Sequence, residues 1–277
     1  MKAMRLVLAV LLLAVTSSSM AGRIFVTGHD PIWHSNFGGN TAGAANMATT
    51  GIDYVRNGST DKFLFIESIT TPIPGGNART APFLSSALGY TGQYDVIDGA
   101  GLNALADFAA FLSGYSAIVV ASDHGGMLTA AELQFLNNNT SDIIDYINAG
   151  GGLYAEAESN AQGLIGAETP FGFLPFLVSS TSFQASETSN QVTAFGAGLG
   201  LTNADVNGNF SHNFFASTGG MNVVDTFNGD PTRPLTLAFD GTITTTGVSV
   251  PEPASLALLI MGMIFLGFNR YRRIPAG

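Results

Sequence analysis

The sequence predicts an α/β domain on a mostly parallel sheet with helices on both faces, followed by a single C-terminal transmembrane helix. Three observations predict it. Short β-rich runs alternate with stretches whose apolar residues recur at helical spacing. The run 116–121, Ser-Ala-Ile-Val-Val-Ala, carries no charge and is β-branched at its centre, as expected of a strand covered on both sides. Near the C-terminus, an apolar run at 254–268 lies between Pro253 and Arg270.

The elements follow in order. A β-rich run at 23–27 ends at Gly28-His29-Asp30, and further strands are expected at 63–67 and 94–97. Ala104, Leu105, Phe108, Ala109 and Leu112 have helical spacing, and Gly114 ends that helix. After the 116–121 strand, Thr129 with Glu132 forms a capping box. Leu133, Leu136, Ile143, Ile144 and Ile147 then continue as one or two amphipathic helices up to Gly150-Gly151-Gly152, with a strand at 153–157 after them. The aromatic segment 171–178 contains Pro175 and reads as irregular chain packed over the sheet. Late strands are expected at 223–227 and 235–240, with antiparallel pairing open to them.

Both ends read as targeting segments. Lys2 and Arg5, the apolar stretch 6–15 and the small residues before Gly22 form a secretory signal over 1–21, with cleavage after Ala21. The domain then covers 22–241, a polar, Thr-rich linker 242–249, and the terminal segment 250–277. Pro251 and Pro253 prevent a helix from starting earlier, since each lacks an amide hydrogen and restricts the residue before it. Fifteen residues of helix at 254–268 span about 22 Å against a hydrocarbon core of about 30 Å. Arg270, Arg272 and Arg273 supply the basic flank that stops transfer.

In Val250-Pro251-Glu252-Pro253, the Gly-containing apolar helix and the Arg cluster, the last tenth of the chain resembles the PEP-CTERM family of sorting signals. The resemblance implies recognition by an exosortase in the membrane and delivery to a surface that bears exopolysaccharide. A plain C-terminal membrane anchor is the alternative, and either one puts the domain outside the cytoplasm.

Composition narrows the choice of function. The net charge is −10, and no Lys or Arg occurs between Arg79 and Arg233. So acidic a domain repels phosphate backbones, which argues against nucleic acid as a partner. The chain has no cysteine, so its stability rests on packing, and thiolate chemistry is excluded. None of the glycine clusters has the Lys-Ser/Thr of a phosphate loop.

Residues 23–160 resemble the class I glutamine amidotransferase-like superfamily. The resemblance is carried by Ile24-Phe25-Val26-Thr27-Gly28-His29, by Ala121-Ser122-Asp123-His124-Gly125-Gly126 and by Asn148-Ala149-Gly150-Gly151-Gly152-Leu153. It implies a flavodoxin-like sheet. Where active members carry the nucleophile, this chain reads Tyr154-Ala155-Glu156-Ala157-Glu158, so amidotransferase chemistry is not expected.

Ligands of parallel sheets bind beyond the C-terminal strand ends, at a switch in strand order. There the chain offers His29, Asp30, Asp123, His124 and Glu156, with His34 and Glu158 close by in sequence and His212 in a polar loop. Imidazoles with carboxylates suit acid–base chemistry or a divalent metal of unspecified identity, although no cofactor is required by the sequence. The same residues also suit independent turn and capping roles. Asp205-Val206-Asn207-Gly208-Asn209 reads as an Asx-rich turn more than a calcium loop, for no Glu closes it at position 216. Trp33 is placed to stack on a sugar or to pack. The expectation is an exported surface-binding protein, with exosortase, the membrane and extracellular polysaccharide as partners. An extracellular hydrolase or metal-dependent enzyme is the alternative.

Overall fold

The computed structural model describes residues 22–68, 79–124, 128–161, 168–174, 178–244 and 247–249. Five parallel strands form one block: β1 (Arg23–Thr27), β2 (Phe63–Ile66), β3 (Tyr94–Ile97), β4 (Ala117–Val120) and β5 (Gly152–Ala155). The strands β7 (Gln191–Val192), β9 (Asn222–Thr226) and β10 (Pro234–Asp240) extend the sheet antiparallel beyond β1. The order across it is β3-β2-β4-β5-β1-β10-β9-β7. Two strands stand apart as a second sheet, β6 (Val178–Ser186) with β8 (Phe210–Thr218).

The alternation of strand side chains divides the core in two. Ile24, Val26, Leu64, Ile66, Ile118, Val120, Leu153 and Leu237 face one side, against α6 (Ala130–Asn138) and α7 (Thr140–Asn148). Phe25, Phe63, Phe65, Val119, Tyr154 and Ala238 face the other, against α2 (Thr41–Arg56). The sheet is thus covered on both faces, and charge-free strands such as β4 are the consequence. Each of these large apolar side chains, fully out of water, contributes about 1.5–3 kcal/mol.

Helix α2 was not expected, because Gly and Thr recur along its sequence and lower its helix propensity. It forms because Ala44, Met47, Ala48, Ile52 and Val55 make one apolar stripe. Asn40 caps it by accepting from the Gly43 amide at 3.0 Å, and Asn57 at φ 50° ends it. Gly51 sits over the stacked rings of Phe25 and Tyr154, whose centroids are 5.7 Å apart. A side chain there would collide with both rings, so the helix packs closer than Ala would permit.

The expected strands at 23–27, 63–67, 94–97, 116–121 and 153–157 are all present within a residue or two. The capping box at Thr129 and Glu132 is formed and opens α6. The late strands β9 and β10 pair antiparallel. The expected helix around 104–112 is instead two short ones, α4 (Gly99–Asn103) and α5 (Phe108–Leu112), because Asp98 and Asp107 each cap a separate start. His212, expected in a polar loop, lies in the nine-residue strand β8. Among the described residues no helix is long and apolar enough to cross a membrane. The expected signal 1–21, with Ala21, and the whole 250–277 segment lie outside the described residues.

The stretch read as a linker, 242–249, is a hairpin of β11 (Thr242–Thr244) and β12 (Gly247–Ser249). Asn148, at the end of α7, grips it twice: its side chain accepts from the Ile243 amide at 2.8 Å and donates to the Ile243 carbonyl at 3.1 Å. Ile243 itself is buried in the α6–α7 core. Ile243→Ala is therefore expected to lower stability by about 2–4 kcal/mol. The measurement is the denaturant midpoint at unchanged slope, and a midpoint equal to wild type would mean that this stretch is a free linker after all.

Candidate functional site

Beyond the C-terminal ends of the parallel strands the chain stays hydrogen-bonded for several residues. Ala157 donates its amide to the His29 carbonyl at 3.0 Å, and Asp123 donates to the Ala157 carbonyl at 2.9 Å. Asp123, Glu156, Glu158 and Asp30 are thereby held in one buried region. Strand β8 then crosses the end of β1. The amides of His212 and Asn213 both donate to the Gly28 carbonyl, at 2.8 and 3.2 Å, and Gly28 has no side chain because the Asn213 backbone occupies that space.

Two imidazoles converge on Asp30, and a third packs behind one of them. The short helix α1 (Pro31–His34) follows it at once, with Pro31 in its first turn, so His34 stands one turn above Asp30. His34 Nε2 is 3.1 Å and His212 Nε2 3.2 Å from Asp30 Oδ1. Neither contact is a directed hydrogen bond: Asp30 Oδ1 and both ring nitrogens of His212 have no hydrogen-bond partner among the described residues. Burial would raise the Asp30 pKa, but the positive charge available on His212 and then His34 outweighs it, so the carboxyl is held far below its usual range. His124 stacks on His212 with centroids 3.8 Å apart, and its own pKa is lowered by burial first and by His212 next.

The other expected residues take separate places. His29 is turned away from this cluster and is clamped between Glu187, on Nδ1, and Asp225, whose Oδ2 lies 2.9 Å from Nε2. Burial opposes charge on the ring, but Glu187 and Asp225 prevail and hold the His29 pKa well above its usual value. Ser211 Oγ lies 3.4 Å from His29 Nδ1, which gives the outline of a hydrolytic triad. An imidazolium with a carboxylate on each nitrogen cannot take a proton from that hydroxyl, and all four groups are buried. We therefore read His29 as an internal ion cluster.

Glu156 serves as a positioning residue. Its Oε1 accepts from the Ile32 amide at 2.9 Å and from the Tyr154 hydroxyl at 2.8 Å, which fixes the turn that carries Asp30. Asp123 Oδ2 accepts from the Asn160 amide at 3.0 Å, and burial pushes its pKa up to about 8. Glu158 accepts from the Phe171 amide, and burial raises it as well. Glu67, at the end of β2 beside the switch in strand order, is consumed by the amides of Thr80 and Ala81, so the polar cluster gathers at β1 and not at the switch. The loop at 202–209 is an Asx-rich turn: Asp205 accepts from the Thr202 amide at 2.8 Å, and Asn207 donates to the carbonyls of Asn190 and Asn203. Trp33 packs with Phe37 and Phe83, at 4.7 and 6.3 Å between centroids.

Of the expected set, the structure brings Asp30, His124 and His212 together, keeps Asp123 and Glu156 as buried neighbours, and sends His29 elsewhere. His34 belongs to the cluster too, and its spacing of four from Asp30 after a Pro-initiated turn was the available signal. Glu187 and Asp225 had no such signal, since they reach His29 from strands far along the chain. No family model matches the chain, and no curated protein matches it.

Two outcomes follow. Gly28→Ala would drive β8 off the end of β1, at a cost of about 1–3 kcal/mol, and would separate His212 from Asp30. The checks are the denaturant midpoint and loss of the His124–His212 contact by NMR; an unperturbed pair of imidazole spectra would refute the close approach. The second outcome concerns pH. In the folded state Asp123 and Glu132 (about 7, from burial) have raised pKa values, as do Glu156, Glu158 and His29. A raised folded pKa favours folding below the unfolded value, and that contribution is lost as pH rises through the folded one. Asp30 acts only below about pH 4, and His124 alone opposes near neutrality. In the presence of chelator, Tm is expected to fall by about 5 °C or more from pH 5.5 to 8.5; a Tm that climbs over that range would contradict these assignments.

Proposed function

We propose that this chain is an exported protein of the cell surface, sorted by an exosortase, whose central domain binds an extracellular ligand at the Asp30 strand-end site. The observation that carries the binding reading is the convergence of His34 and His212 on a buried carboxylate, where Asp30 Oδ1 and both ring nitrogens of His212 have no hydrogen-bond partner among the described residues. The address rests on the secretory signal with cleavage at Ala21, on Val250-Pro251-Glu252-Pro253, and on Arg270, Arg272 and Arg273 behind a single membrane helix. Extracellular polysaccharide is the ligand class that fits this address.

The fold supports a flavodoxin-like reading in one specific sense. Counted from β2, the parallel strands have the neighbour order 2-1-3-4-5, with β1 filling the fifth place. The first strand in sequence thus stands at the edge of the parallel block, next to β10. The amidotransferase-like reading concerns this architecture only, because the chain has no cysteine to perform that chemistry. A metal-dependent extracellular enzyme is a second reading, favoured by the grouping of Asp30 with His34 and His212.

The sorting proposal is tested by the mass of the mature protein in a host that contains an exosortase. Wild type is expected to lack the 254–277 segment, while the double variant Pro251→Ala, Pro253→Ala keeps it and stays in the membrane fraction. Mature surface protein that still carries the terminal peptide would overturn sorting by cleavage. For the binding reading, wild type is expected to be retained by the host's own exopolysaccharide in a pull-down, and His212→Ala to lose at least about tenfold in affinity, or 1.4 kcal/mol. Equal retention of the two proteins would remove the strand-end site from that role.

A further inference from the structure

We propose that Asp30, His34 and His212 are the protein ligands of a single transition-metal dication of the zinc class. This inference rests on the strand-end binding site proposed above and names the cofactor it would hold. Among the described residues, these three are the group of His and carboxylate side chains whose ligand atoms come together, all within 4.8 Å of one another.

Spacing is the first argument. Around a dication with bonds of about 2.0–2.2 Å, neighbouring ligand atoms stand roughly 2.8–3.6 Å apart. The two Nε2-to-Oδ1 distances, 3.1 and 3.2 Å, fall in that interval. Direction is the second. At such distances an imidazole that donated to a carboxylate would point its N–H at the oxygen, yet Asp30 Oδ1 and His212 Nε2 have no hydrogen-bond partner among the described residues. The atoms lie close without bonding to each other, as donors aimed at a common point do. Asp30 is only 1% exposed, so water does not supply the missing partner from bulk solvent.

The outer contacts are those a metal ligand needs. His34 Nδ1 lies 2.9 Å from the Phe37 carbonyl, which accepts its N–H and leaves the Nε2 lone pair facing Asp30. His212 is fixed by its own backbone amide on Gly28 and by the stacked ring of His124. Glu156 holds the Ile32 amide, so the turn from Asp30 to His34 has one conformation. A small surface recess lined by Ala44, Met47, Asn209 and Phe210 borders Asp30 and His34.

The donor set selects the class of ion. Two imidazoles and one carboxylate suit zinc and similar borderline metals, whereas calcium and magnesium prefer six or more oxygens. Three protein ligands also leave at least one coordination position for water or for an oxygen of a bound molecule, the arrangement found in reactive and ligand-exchanging sites and not in closed structural ones.

The test uses the protein recovered from the cell envelope, stripped by chelation and titrated with Zn2+ and Co2+ alone. Wild type is expected to take one equivalent with a dissociation constant below about 1 µM, and Co2+ to produce visible absorption bands. His34→Gln, His212→Gln and Asp30→Asn are each expected to weaken binding at least about 100-fold, with circular dichroism in chelator to establish that each variant is folded. The wild-type stoichiometry and the Co2+ spectrum decide the matter even where a variant does not fold. No equivalent bound by wild type, unchanged affinity in folded His34 and His212 variants, or displacement of Zn2+ by equal Ca2+ would each overturn the proposal. Polymer retention is measured on the same stripped and loaded samples. Retention without a metal equivalent overturns the metal centre and leaves the binding site, whereas one equivalent without retention supports the metal and overturns the polymer ligand.

Discussion

The crossing of β8 over the end of β1 is the contact on which the rest of the site depends. Gly28 accepts two amides from β8 and offers no side chain to keep it away, so β8 lies across the end of β1 although their two sheets share no ladder. His29 locks the crossing from beneath, because its ring is held by Glu187 at the end of β6 and by Asp225 in β9. A buried imidazolium with two carboxylates is costly to assemble, and removing any one member would leave an unpaired buried charge. That asymmetry makes the cluster a specifier of arrangement more than a source of net stability. Once β8 is fixed, His212 has no choice but to face Asp30, since the residues before and after it are already bonded to β1.

The sequence made the parallel block legible because its strands are short, mostly apolar and framed by glycines and caps. Strands buried on both faces must be apolar throughout, and that constraint leaves a mark on every residue of β2 and β4. Helix α2 was hidden for the opposite reason. Its core face is made largely of small residues that fit close against Phe25 and Tyr154, and the glycines and threonines along it weaken the helical signature. The β6–β8 sheet was hidden by composition: its strands are rich in Ser, Thr and Asn, as loops are, and β6 is half-buried or exposed along most of its length.

The candidate site was legible only in part, and the division has a physical rule. Residues attached directly to a strand end, such as Asp30, Asp123 and Glu156, could be placed from the sequence because the strand fixes their position. Their partners could not. His212 comes from 182 residues beyond Asp30, and nothing local in Ser211-His212-Asn213 announces a crossing. His29 illustrates the converse error, because a histidine at a strand end is well positioned for chemistry only if its nitrogens are unclaimed. Alternation turns adjacent residues to opposite sides, so His29 and Asp30 serve two different clusters although they are neighbours in the chain.

The shortage of basic residues explains why the two clusters differ. Every parallel strand runs into a carboxylate, but no Lys or Arg occurs between Arg79 and Arg233 to neutralise the later ones. The carboxylates are instead accommodated by three other means. Glu67, Asp98 and Glu132 accept backbone amides at helix starts and turns. Asp123, Glu156 and Glu158 are buried deeply enough to favour their protonated forms. Asp225 and Asp30 face imidazoles, but on different terms. At Asp225 the contact is a hydrogen bond from a histidine that a second carboxylate also holds, so each ring nitrogen has a directed partner within the protein. At Asp30 two imidazoles approach one oxygen without a directed bond, so that oxygen has no hydrogen-bond partner among the described residues. Two imidazoles and one carboxylate without directed bonds between them form the set that the proposed dication would complete, and that is what separates Asp30 from the other acidic strand ends.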